Sequence, residues 1–369
     1  MDKFRLMAKG VKKMKILLDI GHPAHVHYFR NFIKIMQSKN HNILVMARDK
    51  EVSQILLDKY NISYVSRGKG RVGLIGKILY MLKTDFIILL KSFSFKPDVF
   101  LSFGSPYPAQ VSWILRKPHI AFADTEHATL TNYAFMPFSK NIITPSVFQD
   151  DLGEKHIKFK GFMEQCYLDK KYFTPTDDVS HLLDIKKGEK YIILRFVSWG
   201  AVHDIGHSGL SDKSKAELIE KLSKYHKIFI SSESQLPKEF VSYQIKISPD
   251  KMHDVLANAT LFLGEGATMA SECAMLGTPA IYVNTLDAGT LQAEERSGSI
   301  FGFRNSDGVM EKAIELLETS NLKEKFQENR KTLLKDTIDV TRFMVWFVEN
   351  YPESAKILKK SPHYLDRFK

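Results

Sequence analysis

The chain has 369 residues, 44% of them hydrophobic and 26% charged, which fits two globular domains and excludes wholesale disorder. A formal net charge of +11 points to anionic partners (phosphorylated substrates, anionic lipid, nucleic acid) or to solubility alone, and no zinc-finger or RNP-type strand makes the nucleic-acid reading specific. Two distant cysteines, Cys166 and Cys273, exclude a disulfide scaffold and a CxxC metal site and fit a reducing cytosol.

In chain order, residues 1–13 are basic and only patchily apolar, without the continuous core of an export signal, and read as an extension or a misassigned start. Buried strands are predicted over Lys15–Ile20, Asn42–Ala47, Ile62–Val65, Pro97–Phe103, His119–Ala123 and Asn141–Thr144. Helices are predicted over His25–Gln37 and Glu51–Lys59. The stretch from Gly161 to Glu189 is polar and weakly periodic and reads as a linker. The alternation then restarts. Strands fall over Lys190–Arg195, Lys227–Ser231, Thr260–Leu263 and Pro279–Val283, with helices over Lys213–Lys224, Asp250–Ala257, Thr268–Leu276 and Val309–Glu318. Continuous apolar strands alternating with helices imply parallel sheets covered on both faces.

This gives an α/β chain of two doubly wound, Rossmann-like domains facing across a cleft, over residues 14–160 and 161–335. A tail over 336–369 holds Phe343, Val345, Trp346, Phe347 and Val348, too apolar for a free end, and is expected to pack back on the first domain. The longest apolar run, Phe86–Leu90, falls short of the ~18 residues that span a bilayer. The protein is therefore expected in the cytoplasm, either free or at the inner face of the cell membrane. The second location rests on Arg67-Gly-Lys-Gly-Arg71 and on Leu74–Leu90 with Lys77, Lys83 and Lys91, although a core helix with solvated lysines explains them as well.

The residues from Leu261 to Pro279 carry the strongest chemical signal. A buried strand runs into a small-residue turn and then a helix, so backbone N–H groups at the helix start can hold phosphate oxygens. Gly264 and Gly266 would let a ligand approach the backbone, and Glu272, one turn after Thr268, can accept ribose hydroxyls. An ordinary strand–turn–helix capped by Thr268 uses the same residues.

Gly-x-Thr-x-x-x-Glu followed by Leu-Gly-x-Pro resembles the donor-nucleotide motif of GT-B glycosyltransferases and of the UDP-N-acetylglucosamine 2-epimerases that share their fold. Over most of its length the chain is most similar to the bacterial and archaeal family called domain of unknown function 354. The resemblance implies the GT-B fold, with Gly266, Ala267 and Thr268 facing a diphosphate, Glu272 the ribose and Met252 the base. It also implies that Asp287 and Gln292, in the loop after the next strand, meet the donor sugar.

Other loops offer reactive groups. His25, at a helix start after the first strand, can act as general base on an acceptor hydroxyl, as a histidine does in related transferases. His22 and His27 read as structural, and three histidines in that loop lack a zinc-type partner. Asp124-Thr-Glu126 follows the fifth strand. Glu126 resembles a catalytic glutamate of the epimerases, while Asp124 or Thr125 also suits a helix cap. Beyond the first strand of the second domain, Arg195 can pair with phosphate and Trp199 can face a sugar or base. His203 and Asp204 can form a base–orienter pair.

Three functions follow. The first is a metal-independent glycosyltransferase using a nucleotide-sugar donor, UDP-linked, on a sugar or lipid-linked acceptor of surface polysaccharide or glycolipid synthesis. The second is a nucleotide-sugar 2-epimerase with Glu126 and His203 as its acid–base pair. The third is a non-catalytic nucleotide or nucleic-acid binder. No metal and no cofactor besides the nucleotide sugar is expected. The basic balance favours the transferase, as does the appearance of the epimerases' His-Arg pair as Leu194-Arg195.

Overall fold

In a computed structural model, residues 13–71, 73–197, 210–232 and 235–369 are described. The first half builds strands β1 (Lys15–Ile20), β2 (Asn42–Ala47), β3 (Tyr64–Ser66), β4 (Val99–Phe103), β5 (His119–Phe122), β6 (Asn141–Pro145) and β7 (His156–Phe159). They lie in the order β3-β2-β1-β4-β5-β6-β7, all parallel. The second half builds β8 (Tyr191–Phe196), β9 (Lys227–Ser232), β10 (Leu261–Gly264), β11 (Ala280–Val283) and β12 (Phe301–Phe303), parallel in the order β12-β11-β10-β8-β9.

Alternation along β1 shows why its run is apolar throughout. Ile16, Leu18 and Ile20 pack with Phe29 and Phe32 of helix Pro23–Ser38, while Leu17 joins Met46, Phe100 and Val111 on the other face under Ile88. Strand order reverses between β1 and β4 in one sheet and between β8 and β10 in the other. Crevices at such reversals, outside the carboxyl ends of the strands, are where doubly wound sheets take ligands.

Several elements differ from the sequence expectation. Edge strands β7 and β12 are additional, and the third strand falls two residues later than predicted. The segment read as a linker contains helix Gln165–Leu168, all four residues buried, and helix Ser180–Leu183.

The tail returns to the first half as expected. In helix Val340–Glu349, Phe343 packs 5.7 Å from Phe159, and Glu349 pairs with Lys39 at 2.8 Å and His41 at 3.1 Å. The two passages of the chain between the halves are tied side by side. Ile338 N–H donates to Lys160 O at 2.9 Å and Gln165 Nε2 to Thr337 Oγ1 at 2.9 Å.

Candidate active-site cleft

Helix Ala267–Leu276 starts at the carboxyl end of β10. Gly266 occupies its N-cap without a side-chain cap bond, and Gly277, in the left-handed region at φ 71°, ends it. The first-turn amides therefore have no intrahelical acceptor, and Gly266, Ala267, Thr268 and Met269 are only half-buried. Arg195, at the end of β8, is half-buried beside this turn and donates from Nη1 to Ser231 Oγ at 2.9 Å.

Gly264 has a different reason to be glycine than ligand approach. It is buried, and an added Cβ would lie 2.5 Å from Arg195 Cβ and 2.8 Å from Arg195 O, so its bareness lets β10 lie against β8. At Gly266 an added Cβ would meet Arg195 Cγ at an ordinary 3.4 Å.

Glu265 lies between these glycines, is 1% exposed, and was not singled out from the sequence. Its carboxylate accepts from Val197 N–H at 3.1 Å and Leu210 N–H at 2.8 Å and faces Lys215 at 3.5 Å. It thus holds Val197 and Leu210, the described residues on either side of the segment that includes Trp199, His203 and Asp204. Those three residues lie outside the described residues.

Glu272 is buried. Tyr167 Oη donates to Glu272 Oε1 at 2.7 Å, and His253 Nε2 lies 3.0 Å from the same oxygen. His253 follows the half-buried Met252 at the start of helix Met252–Asn258 and packs edge-on to His27 at 4.6 Å. His27 is buried in this knot, in keeping with a structural role. Asp287 is exposed and accepts from Gln292 Nε2 at 2.8 Å.

Across the cleft, His22 caps helix Pro23–Ser38, accepting from Ala24 N–H. Its rim is open to solvent, yet enclosure in the cleft, then the charges of His25, Lys50, Arg195 and Arg48, hold its pKa well below the ordinary value. His25 Nδ1 accepts from Gly21 N–H at 3.3 Å, which leaves the proton on Nε2. Burial, then the charges of Arg67 and Lys50, push His25 down to about 3, so it is a neutral N–H donor at ordinary pH and a poor base.

Behind this loop, buried Asp19 pairs with Arg67 Nε at 2.8 Å and accepts from Ser105 Oγ at 2.6 Å, while Arg67 donates to Tyr80 Oη at 2.7 Å.

Glu126 bridges the halves. Its Oε1 accepts from Gln149 N–H and from Gly289 N–H, each at 3.1 Å. Asp124 is the carboxyl with acid–base character here, pushed up to about 6 by burial and secondarily by Glu126 against the Thr125 hydrogen bond. Burial and the neighbouring Asp124 push Glu164 up to about 8, and burial and Glu164 raise buried Glu294 well above the usual range. Nothing in the local sequence marks Asp124, because its shift comes from burial by the folded chain.

Among the described residues, no group of three or more His, Cys, Asp or Glu side chains is arranged to hold a metal. No helix there is long and apolar enough to cross a membrane.

Residues 14–353 match the family model described as protein of unknown function (DUF354). The chain belongs to the DUF354 family. This DUF354 chain is also 25% identical over 281 residues to the uncharacterized protein MJ0665 of Methanocaldococcus jannaschii, covering 73% of this chain and 81% of that one. Among solved structures it is similar to the UDP-GlcNAc 2-epimerase of Neisseria meningitidis bound to UDP-GlcNAc, with TM-score 0.65 and 13% identity over 91% of this chain and 99% of that one. It is likewise similar to the Streptomyces sp. SF2575 glycosyltransferase SsfS6 complexed with thymidine diphosphate, with TM-score 0.59 and 12% identity over 90% and 99% of the two chains. The DUF354 chain thus has the GT-B fold that its motif implied.

Proposed function

We propose that this protein is a metal-independent glycosyltransferase that takes a UDP-linked sugar and passes it to a sugar or lipid-linked acceptor of surface polysaccharide or glycolipid synthesis. The observation that carries the reading is the uncapped first turn at Gly266–Met269, at a strand-order reversal and beside Arg195. Backbone N–H groups there, with the guanidinium, suit the two negative charges of a diphosphate and the further charge it gains as the sugar leaves. Enzymes of the same fold take UDP-GlcNAc and thymidine diphosphate.

Asp124 is the better base for the acceptor hydroxyl. Its Oδ1 accepts from Thr125, and its pKa near 6 leaves it ionised yet basic at neutral pH. His25 Nε2–H then serves as a hydrogen-bond donor rather than as the base. Tyr167 and His253 both occupy Glu272 Oε1, so ribose hydroxyls would be taken by Oε2.

The epimerase reading is favoured by one observation, the group Asp124, Glu164 and Glu294. Raised carboxyls of this kind supply both acid and base near neutral pH. Incubation with UDP-N-acetylglucosamine separates the two. UDP released only in the presence of an acceptor supports the transferase, and interconversion of the sugar without acceptor supports the epimerase. Calorimetry showing no binding of any nucleotide sugar overturns both.

A further inference from the structure

Helix Leu74–Phe95 buries Ile88 against the first sheet and turns its other side to solvent. On that side Ile75, Ile78, Leu79, Leu82, Phe86 and Phe93 recur every three, four or seven residues and are 45% to 75% exposed. At 3.6 residues per turn these positions fall in one stripe along a helix of roughly 33 Å. The apolar surface continues over neighbouring helices. Helix Pro106–Ile114 packs beside the first and exposes Trp113, and helix Thr129–Phe135 packs beside the second and exposes Leu130 and Tyr133. Water-facing surfaces rarely carry so continuous an apolar area without something to cover it.

Charge indicates what covers it. Lys83 is exposed at the edge of the stripe, Lys69 and Arg71 precede the helix, and Arg116 and Lys117 follow Trp113 and Ile114. Residues 68–140 hold nine Lys and Arg against four Asp and Glu. A second copy docked on this face by a two-fold axis would bring two cationic rims together, whereas lipid phosphates would neutralise one. An apolar stripe with aromatic side chains and a basic flank is the composition of a helix lying in a headgroup layer.

We propose that this face docks on an anionic phospholipid bilayer, with the Ile75–Phe93 stripe, Trp113 and Tyr133 entering the interface and the flanking lysines and arginines on the phosphates. The long helix follows β3, so it begins at the carboxyl end of the first sheet, beside the cleft. Docking therefore brings the cleft mouth to the membrane surface, where a lipid-linked acceptor would present its sugar. That last consequence rests on the transferase reading; the docking does not.

The test is co-sedimentation of the full chain with vesicles of phosphatidylcholine mixed with phosphatidylglycerol, against pure phosphatidylcholine, with no nucleotide sugar present. Binding is expected to the mixed vesicles, weakened by salt, and lowered at least ~10-fold by Leu82→Glu with Phe86→Glu. Both side chains face solvent, so circular dichroism should be unchanged in that variant. The proposal is overturned if the chain ignores both vesicles or if the double variant still binds. It is also overturned if sedimentation shows a dimer that the double variant dissolves, or if removing residues 1–12 alone abolishes binding. Failure here leaves nucleotide-sugar binding by calorimetry untouched, so the two readings fall separately.

Discussion

Arg67 and Asp19 show how charge is tolerated next to the cleft. Both are buried, and the pair is completed by Tyr80 and Ser105. Removing one partner leaves the other charged and unpaired in a low-dielectric site, which costs about 3–5 kcal/mol. Arg67→Met is expected to lower stability to urea by that amount, and adding Asp19→Asn to recover a large part of it. If the single and double variants unfold at the same urea concentration, the pair is not the source of the loss. At Asp124 the expected change is kinetic. Asp124→Asn should slow turnover by about 100-fold or more, with the calorimetric affinity for UDP retained. Thr268→Glu should do the reverse, weakening UDP binding by placing a negative charge at the helix start. Full affinity in the Thr268→Glu variant would remove the diphosphate from that turn.

At the scale of elements, the approach of β10 to β8 depends on one missing methyl group. Gly264→Ala would force a Cβ to within 2.5 Å of Arg195 Cβ and push the two strands apart. Overpacking of this sort costs about 1–3 kcal/mol, and because the strain falls on Arg195, nucleotide affinity should drop along with thermal stability. An alanine variant as stable as the parent would show that the strands can separate freely. The central strands were legible in the sequence because a parallel strand buried on both faces reads as an unbroken apolar run. The edge strands β7 and β12, His-Ile-Lys-Phe and Phe-Gly-Phe, lack that run because one side has no neighbour to exclude water. The strand–turn–helix at Leu261–Leu276 was legible from its glycines and apolar run, although Gly264 serves packing. Glu265 left a usable signal, a lone carboxylate between two glycines directly after a buried strand. Asp124 left none, and the tie between Glu272 and Tyr167 joins residues 105 positions apart.

At the scale of the whole molecule, buried ionisable groups give stability a dependence on pH. A carboxyl whose folded pKa is raised stabilises the fold below its unfolded value and loses that contribution as pH rises through the folded value. For Glu164 that range runs from 4.5 to about 8. His25 and His119, both pushed down to about 3, act oppositely, but only up to their ordinary value of 6.5. Between pH 6.5 and 8 the carboxyls therefore dominate these terms, and the urea midpoint should fall. The slope is about 1.4 kcal/mol per pH unit for each proton by which the states differ, and Glu164→Gln should flatten it. A midpoint that rises over this window would contradict the assignment.

The paired passages of the chain between the halves have a mechanical consequence. Since Ile338 is bonded to Lys160 and Gln165 to Thr337, the halves share one seam rather than two independent threads. Away from that seam the halves also meet where Glu126 accepts from the Gly289 amide and where the His27 ring packs on His253. The molecule is built like a door, with a double hinge at the seam and the Glu126–Gly289 bond as one of its catches. Opening should begin at the catches, and a pair of spectroscopic labels would register the motion most strongly on the Glu126 side and least at residues 160 and 338.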